Sequence, residues 1–127
     1  MNNSPKLEGT KLANFEPTAK VDQLQIIDTV VGTGDEVPVG GTVTAHYTGA
    51  LCADGTIFQS SHDFGEAITF PLDRVIAGWT QGVPGMKVGG TRRLIIPSAM
   101  AYGSARASAN IPPNSDLVFD IELVALG

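Results

Sequence analysis

The segment SDLVFDIELVAL, residues 115–126, carries the clearest structural pattern in this chain of 127 residues. Apolar side chains recur at every second position from Leu117 to Leu123, and Asp120 and Glu122 stand between them. Successive side chains of a β-strand point to opposite faces of its sheet, so this alternation predicts a strand with one apolar and one polar face. Such a strand is typical of an antiparallel sheet that is covered on one side only.

Five earlier segments also have the composition or the alternation of strands. They are LQIIDTVV at 24–31, TVTAHYTGAL at 42–51, TIFQSS at 56–61, AITFPL at 67–72 and TRRLIIP at 91–97. One segment instead predicts a short helix, RVIAGWTQGV at 74–83, which Gly82 and then Pro84 bring to an end. The predicted fold class is α+β, an antiparallel sheet with one short helix packed on it.

The first 20 residues differ from the rest of the chain. MNNSPKLEGTKLANFEPTAK is polar, contains two prolines and shows no sustained periodicity. Segments of this kind at chain ends are poorly ordered unless other contacts hold them. We therefore predict a flexible N-terminal arm at residues 1–20, of which Phe15 alone touches a single domain at residues 21–127.

Composition and charge exclude several classes of protein. The formal net charge of −5 argues against nucleic acid as a partner, because its binding requires a cationic surface. Cys52 is the only cysteine and there are two histidines, so neither an internal disulfide nor a metal site is expected. No apolar run approaches the roughly 20 residues that span a bilayer, which argues against a membrane protein. The first residues lack the apolar core of a signal peptide. We expect a cytoplasmic monomer, although an exported protein with its signal removed would look the same.

The stretch FQSSHD, residues 58–63, contains the residue types of a serine hydrolase. Nucleophilic catalysis needs a hydroxyl, an imidazole and a carboxylate that converge in space. Contiguous side chains of an extended segment diverge instead, and no G-x-S-x-G motif occurs in the chain. We therefore interpret the stretch as a strand end that runs into a polar loop, with His62 and Asp63 solvated. His46 is interpreted as structural or exposed.

Four longer motifs follow one another along the chain: AHYTGALCADGTIFQSS at 45–61, VIAGWTQGVPGMKVGGTRRLIIP at 75–97, AYG at 101–103 and IPPNSDLVFDIEL at 111–123. Together they closely resemble the FK506-binding-protein (FKBP) type of peptidyl-prolyl cis–trans isomerase. The resemblance covers residues 24–127. It implies a five-stranded antiparallel β-sheet wrapped around one short α-helix, with an apolar pocket between them.

The resemblance also implies roles for individual residues. Trp79 would form the floor of the pocket, and its walls and lining would come from Tyr47, Phe58, Phe119, Val75, Ile76 and Ile111. The backbone N–H of Ile76 and the hydroxyl of Tyr102 would donate hydrogen bonds to carbonyl groups of a bound peptide or macrolide. The residues on which we expect catalysis to rest are Tyr102, Ile76, Trp79, Phe119, Phe58 and Gln59. Phe70 is expected in the core rather than in contact with a ligand.

At four positions the sequence departs from the family pattern. Gln59 stands where the family usually has an aspartate and Phe64 where it has an arginine, so a charged pair at the pocket rim is replaced on both sides. Ile68 stands where a large aromatic residue is frequent, and Ala107 where some members carry a histidine. We still expect Gln59 and Ile68 to contact a bound substrate or macrolide, with altered affinity.

The activity that the resemblance implies is rotation about X–Pro peptide bonds during protein folding. Preferential binding of a twisted amide in an apolar pocket requires no nucleophile, metal or cofactor, and we expect none. The expected ligands are proline-containing peptides and proteins, together with macrolides of the FK506 and rapamycin type. The alternative is a non-catalytic module of the same fold that binds a proline-containing loop of one partner.

Overall fold

The computed structural model describes residues 10–12, 15–17, 20–63, 65–103 and 111–126. In chain order the strands are β1 (Gln25–Val30), β2 (Thr42–Leu51), β3 (Ile57–Ser60), β4 (Ile68–Pro71), β5 (Thr91–Ile96) and β6 (Leu117–Leu126). Within these ranges one α-helix, α1 (Ala77–Gly82), lies between β4 and β5. Two short 3-10 turns, Ser61–Asp63 and Ser98–Met100, follow β3 and β5. No helix in the described part of the chain is long and apolar enough to cross a membrane.

The strands form one antiparallel sheet in the order β1-β5-β6-β2-β3, and β4 also pairs with β2. β3 lies beside residues 48–50 of β2, whereas β4 lies beside residues 42–45. The two short strands therefore share one position at the edge of the sheet. The predicted α+β class is confirmed, and the expected five strands become six because this edge position is divided.

The main core lies between one face of the sheet and α1. Gly78 and Gly82 allow the helix to approach β5 closely. A Cβ atom on Gly78 would lie 2.6 Å from Ile96 Cδ1, and one on Gly82 would lie 2.7 Å from Leu94 Cδ2. A side chain at either glycine would require Ile96, Leu94 or the helix itself to shift. Trp79, between the two glycines, is consequently held against the strands and is 4% exposed.

The helix α1 is shorter than the predicted span of 74–83. Ile76 has extended backbone angles, φ −60° and ψ 150°, and its carbonyl accepts hydrogen bonds from Trp79 and Thr80 at the start of the helix. The Thr80 hydroxyl donates to the Leu72 carbonyl at 2.6 Å, which ties the helix to the chain that leads out of β4. Val75 and Ile76 are β-branched residues, which favour an extended backbone.

Part of the N-terminal arm packs on the outer face of the sheet. The Leu12 N–H donates to the Gly55 carbonyl and the Ile57 N–H donates to the Thr10 carbonyl, each at 2.8 Å. Leu12 is buried in a second apolar cluster, whose other buried members are Val21, Ala50, Cys52, Ile57 and Val118. Phe15 packs against the same cluster. The expectation that Phe15 alone touches the domain is therefore wrong, whereas the boundary at residue 20 stays a prediction.

Arg92 on β5 joins β1 to the end of the helix. Its guanidinium donates to both carboxylate oxygens of Asp28, at 2.6 and 3.2 Å, and to the carbonyls of Gly82 and Pro84, at 2.8 and 3.1 Å. The hydrogen bond from Arg92 lowers the pKa of Asp28. All six residues of β1 are exposed, so this ion pair is a principal side-chain tie between the strand and the rest of the domain.

Candidate active site

A cavity of about 500 Å³ opens between the helix, the sheet and the turn at residues 98–103. The described residues that line it are Tyr47, Phe58, Gln59, Phe70, Arg74, Val75, Ile76, Trp79, Tyr102 and Phe119. Six of these ten residues belong to β2, β3, β4, β6 and α1, which places most of the lining on regular elements. A volume of this size falls in the ordinary range of small-molecule and peptide-side-chain sites.

Trp79 lies at the floor of the cavity and meets three other rings. Its ring centroid is 5.7 Å from that of Tyr47, 4.9 Å from that of Phe70 and 5.4 Å from that of Phe119, and all three contacts are edge-on. Edge-to-face packing is a favourable arrangement for aromatic pairs. The indole Nε1–H is buried and has no hydrogen-bond partner in the described part of the chain. The floor is therefore apolar and carries one unsatisfied donor.

Gly49 allows the two phenylalanines of the wall to meet. It lies opposite Phe119 in the pairing of β2 with β6, and a Cβ atom there would come within 2.6 Å of Phe58 and 2.7 Å of Phe119. The rings of Phe58 and Phe119 pack edge to face, with centroids 5.7 Å apart. Sequence reasoning missed this position, although a glycine inside a strand pattern often marks a close approach of other atoms.

Two hydrogen-bond donors lie at the rim of the cavity, one a hydroxyl group and the other a backbone N–H. Tyr102 belongs to the turn after β5, is 40% exposed, and lines the cavity. The Ile76 N–H precedes the helix and donates to no described backbone carbonyl. Burial raises the pKa of the Tyr47 hydroxyl, and the neighbouring Tyr102 phenol raises it further. The Tyr47 phenol therefore remains protonated at neutral pH and can act as a hydrogen-bond donor.

Gln59 and Arg74 set the polarity of the rim. Gln59 is exposed and lines the cavity, and no hydrogen bond joins it to the Tyr47 hydroxyl among the described residues. Arg74, which sequence reasoning did not single out, also lines the cavity. It forms no ion pair with the described residues and is the one charged side chain in their part of the lining. The described rim thus carries a positive charge.

Two residues that were expected to contact a ligand lie in or beside the main core. Ile111 is 5% exposed and belongs to the main core, and Ile68 on β4 packs against that core; neither lines the cavity. Phe70, expected in the core only, also lines the cavity. Phe70 contacts both the core and the cavity because its ring makes edge-on contacts with Tyr47 and Trp79. Phe64 and Ala107 lie outside the described residues.

The serines of FQSSHD have structural roles. Ser61 is fully buried, and its hydroxyl accepts the Tyr47 N–H at 2.8 Å and lies 2.9 Å from His46 Nδ1. Ser60 is 1% exposed and its hydroxyl lies 2.9 Å from that of Thr48.

The sequence suggested that His62 is solvated, but its side chain has contacts within the protein. Its Nε2 lies 2.6 Å from Glu122 Oε2, and its ring stacks on that of His46. No group of three residues with metal-ligating side chains is arranged to hold a metal ion in the described part of the chain. The histidines therefore belong to a polar network on β2, β6 and the turn after β3.

Comparisons with known proteins identify relatives of this chain. The model of the family described as FKBP-type peptidyl-prolyl cis-trans isomerase matches residues 34–124. The Saccharomyces cerevisiae peptidyl-prolyl cis-trans isomerase FPR2 is 54% identical over 87 residues, which are 67% of this chain and 64% of the yeast protein. FK506-binding protein 2 of Yarrowia lipolytica is 53% identical over 89 residues, which are 68% of this chain and 61% of that protein. The chain thus spans less than two thirds of the length of both relatives.

A solved structure has the same fold. The crystal structure of a peptidyl-prolyl cis-trans isomerase from Pseudomonas syringae superposes with a TM-score of 0.74 at 38% sequence identity, over 87% of this chain and 80% of that one. The family match extends over most of the sheet, the helix and the residues that line the cavity. The chain belongs to the FKBP-type peptidyl-prolyl cis-trans isomerase family.

Proposed function

We propose that this protein is a peptidyl-prolyl cis–trans isomerase and that the cavity over Trp79 is its active site. The observation that carries the proposal is the combination of an aromatic floor with free donors at the rim. Tyr47, Phe70 and Phe119 surround the indole edge-on, and Tyr102 and Ile76 line the same cavity. The curated relatives are named as isomerases of this kind or as FK506-binding proteins.

An apolar cavity can accelerate the rotation without covalent chemistry. Resonance gives the C–N bond of an amide partial double-bond character, with a rotational barrier of roughly 18–20 kcal/mol. X–Pro bonds consequently exchange over tens of seconds or more. The twisted transition state has lost this resonance and its carbonyl carries less charge, so an apolar cavity disfavours it less than the planar amide. Preferential binding of the twisted form lowers the barrier.

The rim groups orient the peptide for this rotation. The Tyr102 hydroxyl and the Ile76 N–H would hold carbonyl groups on either side of the proline, whose ring would lie over Trp79. Gln59 would accept or donate one hydrogen bond at the edge. A few fixed donors set the orientation without demanding one peptide sequence.

The proposed ligands follow from the same cavity. We propose proline-containing peptides and proteins as substrates, and FK506-type or rapamycin-type macrolides as competitors for the site. Because these substrates include proline-containing proteins, we propose that the activity serves protein folding. The expected cytoplasmic location and monomeric state stay predictions, which fractionation of expressing cells and sedimentation of the purified chain would test.

The alternative is a binding module without turnover. The observation that favours it is the rim, because Gln59 has no charge and makes no hydrogen bond to the Tyr47 hydroxyl among the described residues. Trp79 is the only tryptophan, so its fluorescence reports binding of an Ala-Leu-Pro-Phe peptide or of FK506 directly. NMR exchange of the same peptide reports turnover. Binding with acceleration supports the isomerase, and binding without acceleration supports the module.

A further inference from the structure

We propose that Asp116 is a positioning residue through which the N-terminal arm holds the turn that bears Tyr102. The inference rests on the proposed isomerase function, because its consequence is a change in turnover. Asp116 immediately precedes β6 and does not line the cavity. It would act on the site through Tyr102 and not by touching a substrate.

Asp116 binds two segments that are far apart in the chain. Its Oδ1 accepts the N–H of Ser98 at 2.8 Å, and its Oδ2 accepts the N–H of Val21 at 2.8 Å. Its own carbonyl accepts the N–H of Cys52 at 3.0 Å. Backbone N–H groups that donate to an ionised carboxylate form stronger hydrogen bonds than neutral pairs. One side chain thus joins Val21, the residue directly after the arm, to the turn after β5.

The turn at residues 98–103 transmits this anchoring to Tyr102. Ser98 begins a 3-10 turn, so its N–H has no partner inside that turn. Its carbonyl accepts the N–H of Ala101 at 3.0 Å and of Gly103 at 2.8 Å. The Gly103 carbonyl in turn accepts the N–H of Asn114 at 2.7 Å. Tyr102 therefore lies in a short hydrogen-bonded loop whose first N–H is held by Asp116.

Val21 connects this anchoring to the arm. Val21 is 4% exposed and packs with Leu12, Cys52, Ile57 and Val118 in the apolar cluster on the outer face of the sheet. Docking of the arm places the Val21 N–H against Asp116 and fixes the carboxylate in the orientation that Ser98 requires. Release of the arm would leave Asp116 free to rotate toward water and would loosen the turn.

The test uses three variants of the full chain. Asp116→Ala removes both acceptors. Val21→Pro removes the Val21 donor, and Val21→Ala is its matched control because it keeps the N–H and shortens the buried side chain. Hydrogen exchange of the Ser98 and Gly103 amides measures anchoring of the turn. We expect faster exchange in Asp116→Ala and in Val21→Pro, and exchange close to wild type in Val21→Ala.

Turnover in a double-mutant cycle separates positioning from general stability. We expect Asp116→Ala to lower kcat/KM about three- to tenfold, the loss of roughly one hydrogen bond. In a Tyr102→Phe background the same change should cost less than about twofold, because the hydroxyl that it positions is already absent. Equal losses in both backgrounds would overturn the proposal. Should Asp116→Ala fail to fold, Asp116→Asn takes its place, since it retains one acceptor oxygen.

Two further outcomes are informative. If Val21→Pro leaves both amide exchange and turnover at wild-type values, the arm plays no part and the proposal is overturned. If the wild-type chain has no turnover, the proposed isomerase function fails, and the exchange measurement still shows whether Asp116 and the arm hold the turn.

Discussion

Trp79 and Phe119 meet edge to face at the floor of the cavity, with ring centroids 5.4 Å apart and an interplanar angle of 86°. Trp79 stands on the one described helix and Phe119 on a central strand, so this contact joins the two layers of the fold at the point where a proline would bind. The floor therefore contributes to stability as well as to the proposed binding. A test of Trp79 needs a control variant that separates the two effects.

Trp79→Leu should abolish most of the turnover. The change removes three aromatic contacts and leaves a cavity, so we expect the free energy of unfolding to fall by about 2–4 kcal/mol and kcat/KM to fall at least about tenfold. Val83→Ala is the control, because Val83 is fully buried in the same core but does not line the cavity. Comparable losses of kcat/KM in the two variants, measured where both are folded, would show that Trp79 acts through stability alone.

The charge at the rim should bias the choice of substrate. Arg74 is the one charged side chain among the described residues that line the cavity, so a glutamate before the proline should be preferred over its neutral isostere. For Ala-Glu-Pro-Phe against Ala-Gln-Pro-Phe we expect a kcat/KM ratio of about 1.5 to 5 at low salt. The ratio should approach one in 0.5 M salt, because screening weakens exposed charges.

Two variants check the origin of that bias. Arg74→Gln removes the charge, and Gln59→Asp places an opposite charge on the same rim; both should bring the ratio close to one. A ratio that survives Arg74→Gln would assign the preference to another residue.

Arg92 should contribute more to stability than its partner Asp28. Arg92 is 8% exposed and also donates to the carbonyls of Gly82 and Pro84, whereas the Asp28 side chain is 41% exposed. We expect Arg92→Met to cost about 1–3 kcal/mol and Asp28→Asn less than about 1 kcal/mol, measured by urea unfolding. An equal cost for the two would mean that the helix carbonyls gain nothing from Arg92.

The ion pair of Arg92 and Asp28 should make the stability of the protein depend on pH in the acid range. The folded-state pKa of Asp28 is lowered by Arg92, so its contribution to stability is present above the unfolded-state pKa and is lost as pH falls below about 4. The loss of stability on acidification should be smaller in Asp28→Asn than in wild type. An identical acid dependence of the two proteins would contradict this assignment.

Cys52 should be inert in the folded protein. It is fully buried, and burial first and then the nearby charge of Asp116 raise the pKa of its thiol to about 12. We expect no reaction with a thiol reagent at pH 8 until the chain is unfolded. Rapid labelling of the folded protein would show that the second apolar cluster opens readily.

The raised pKa of the Cys52 thiol also determines how stability changes at alkaline pH. The unfolded thiol ionises from about pH 8.5, whereas the folded thiol stays protonated toward pH 12. The stabilising contribution is therefore complete below about pH 8 and is lost as pH rises above it. Cys52→Ala should lose less stability between pH 8 and 11 than wild type, and the remaining alkaline loss includes Tyr47, whose pKa is also raised.

Local patterns of the sequence were sufficient to predict most of the fold. The alternation in β6 is strong because one face packs on the core, where Phe119 and Ile121 are buried, while Glu122 on the other face is exposed. Val118 is buried on that other face as well, since the arm covers it. Contacts of the arm with residues 55–57 join distant segments of no common periodicity, and for this reason the sequence did not indicate them.

The cavity was predicted less completely. Resemblance to a family supplied Tyr47, Trp79 and Phe119, all of which line it. Phe70 and Arg74 also line the cavity. Their positions depend on the path of the chain from β4 to the helix, which residue types alone do not determine. Ile111 lies in the core and does not line the cavity, and its contact with a ligand stays a prediction.

The most direct test of the central claim is the rate of cis–trans exchange in an Ala-Leu-Pro-Phe peptide, measured by NMR with catalytic amounts of wild-type protein and of Tyr102→Phe. Tyr102 is 40% exposed, so its loss should leave the fold intact. We expect acceleration by wild type that FK506 suppresses, and a rate for Tyr102→Phe lowered about three- to tenfold. Exchange at the uncatalysed rate, in the presence of a folded protein that binds the peptide, would contradict the central claim.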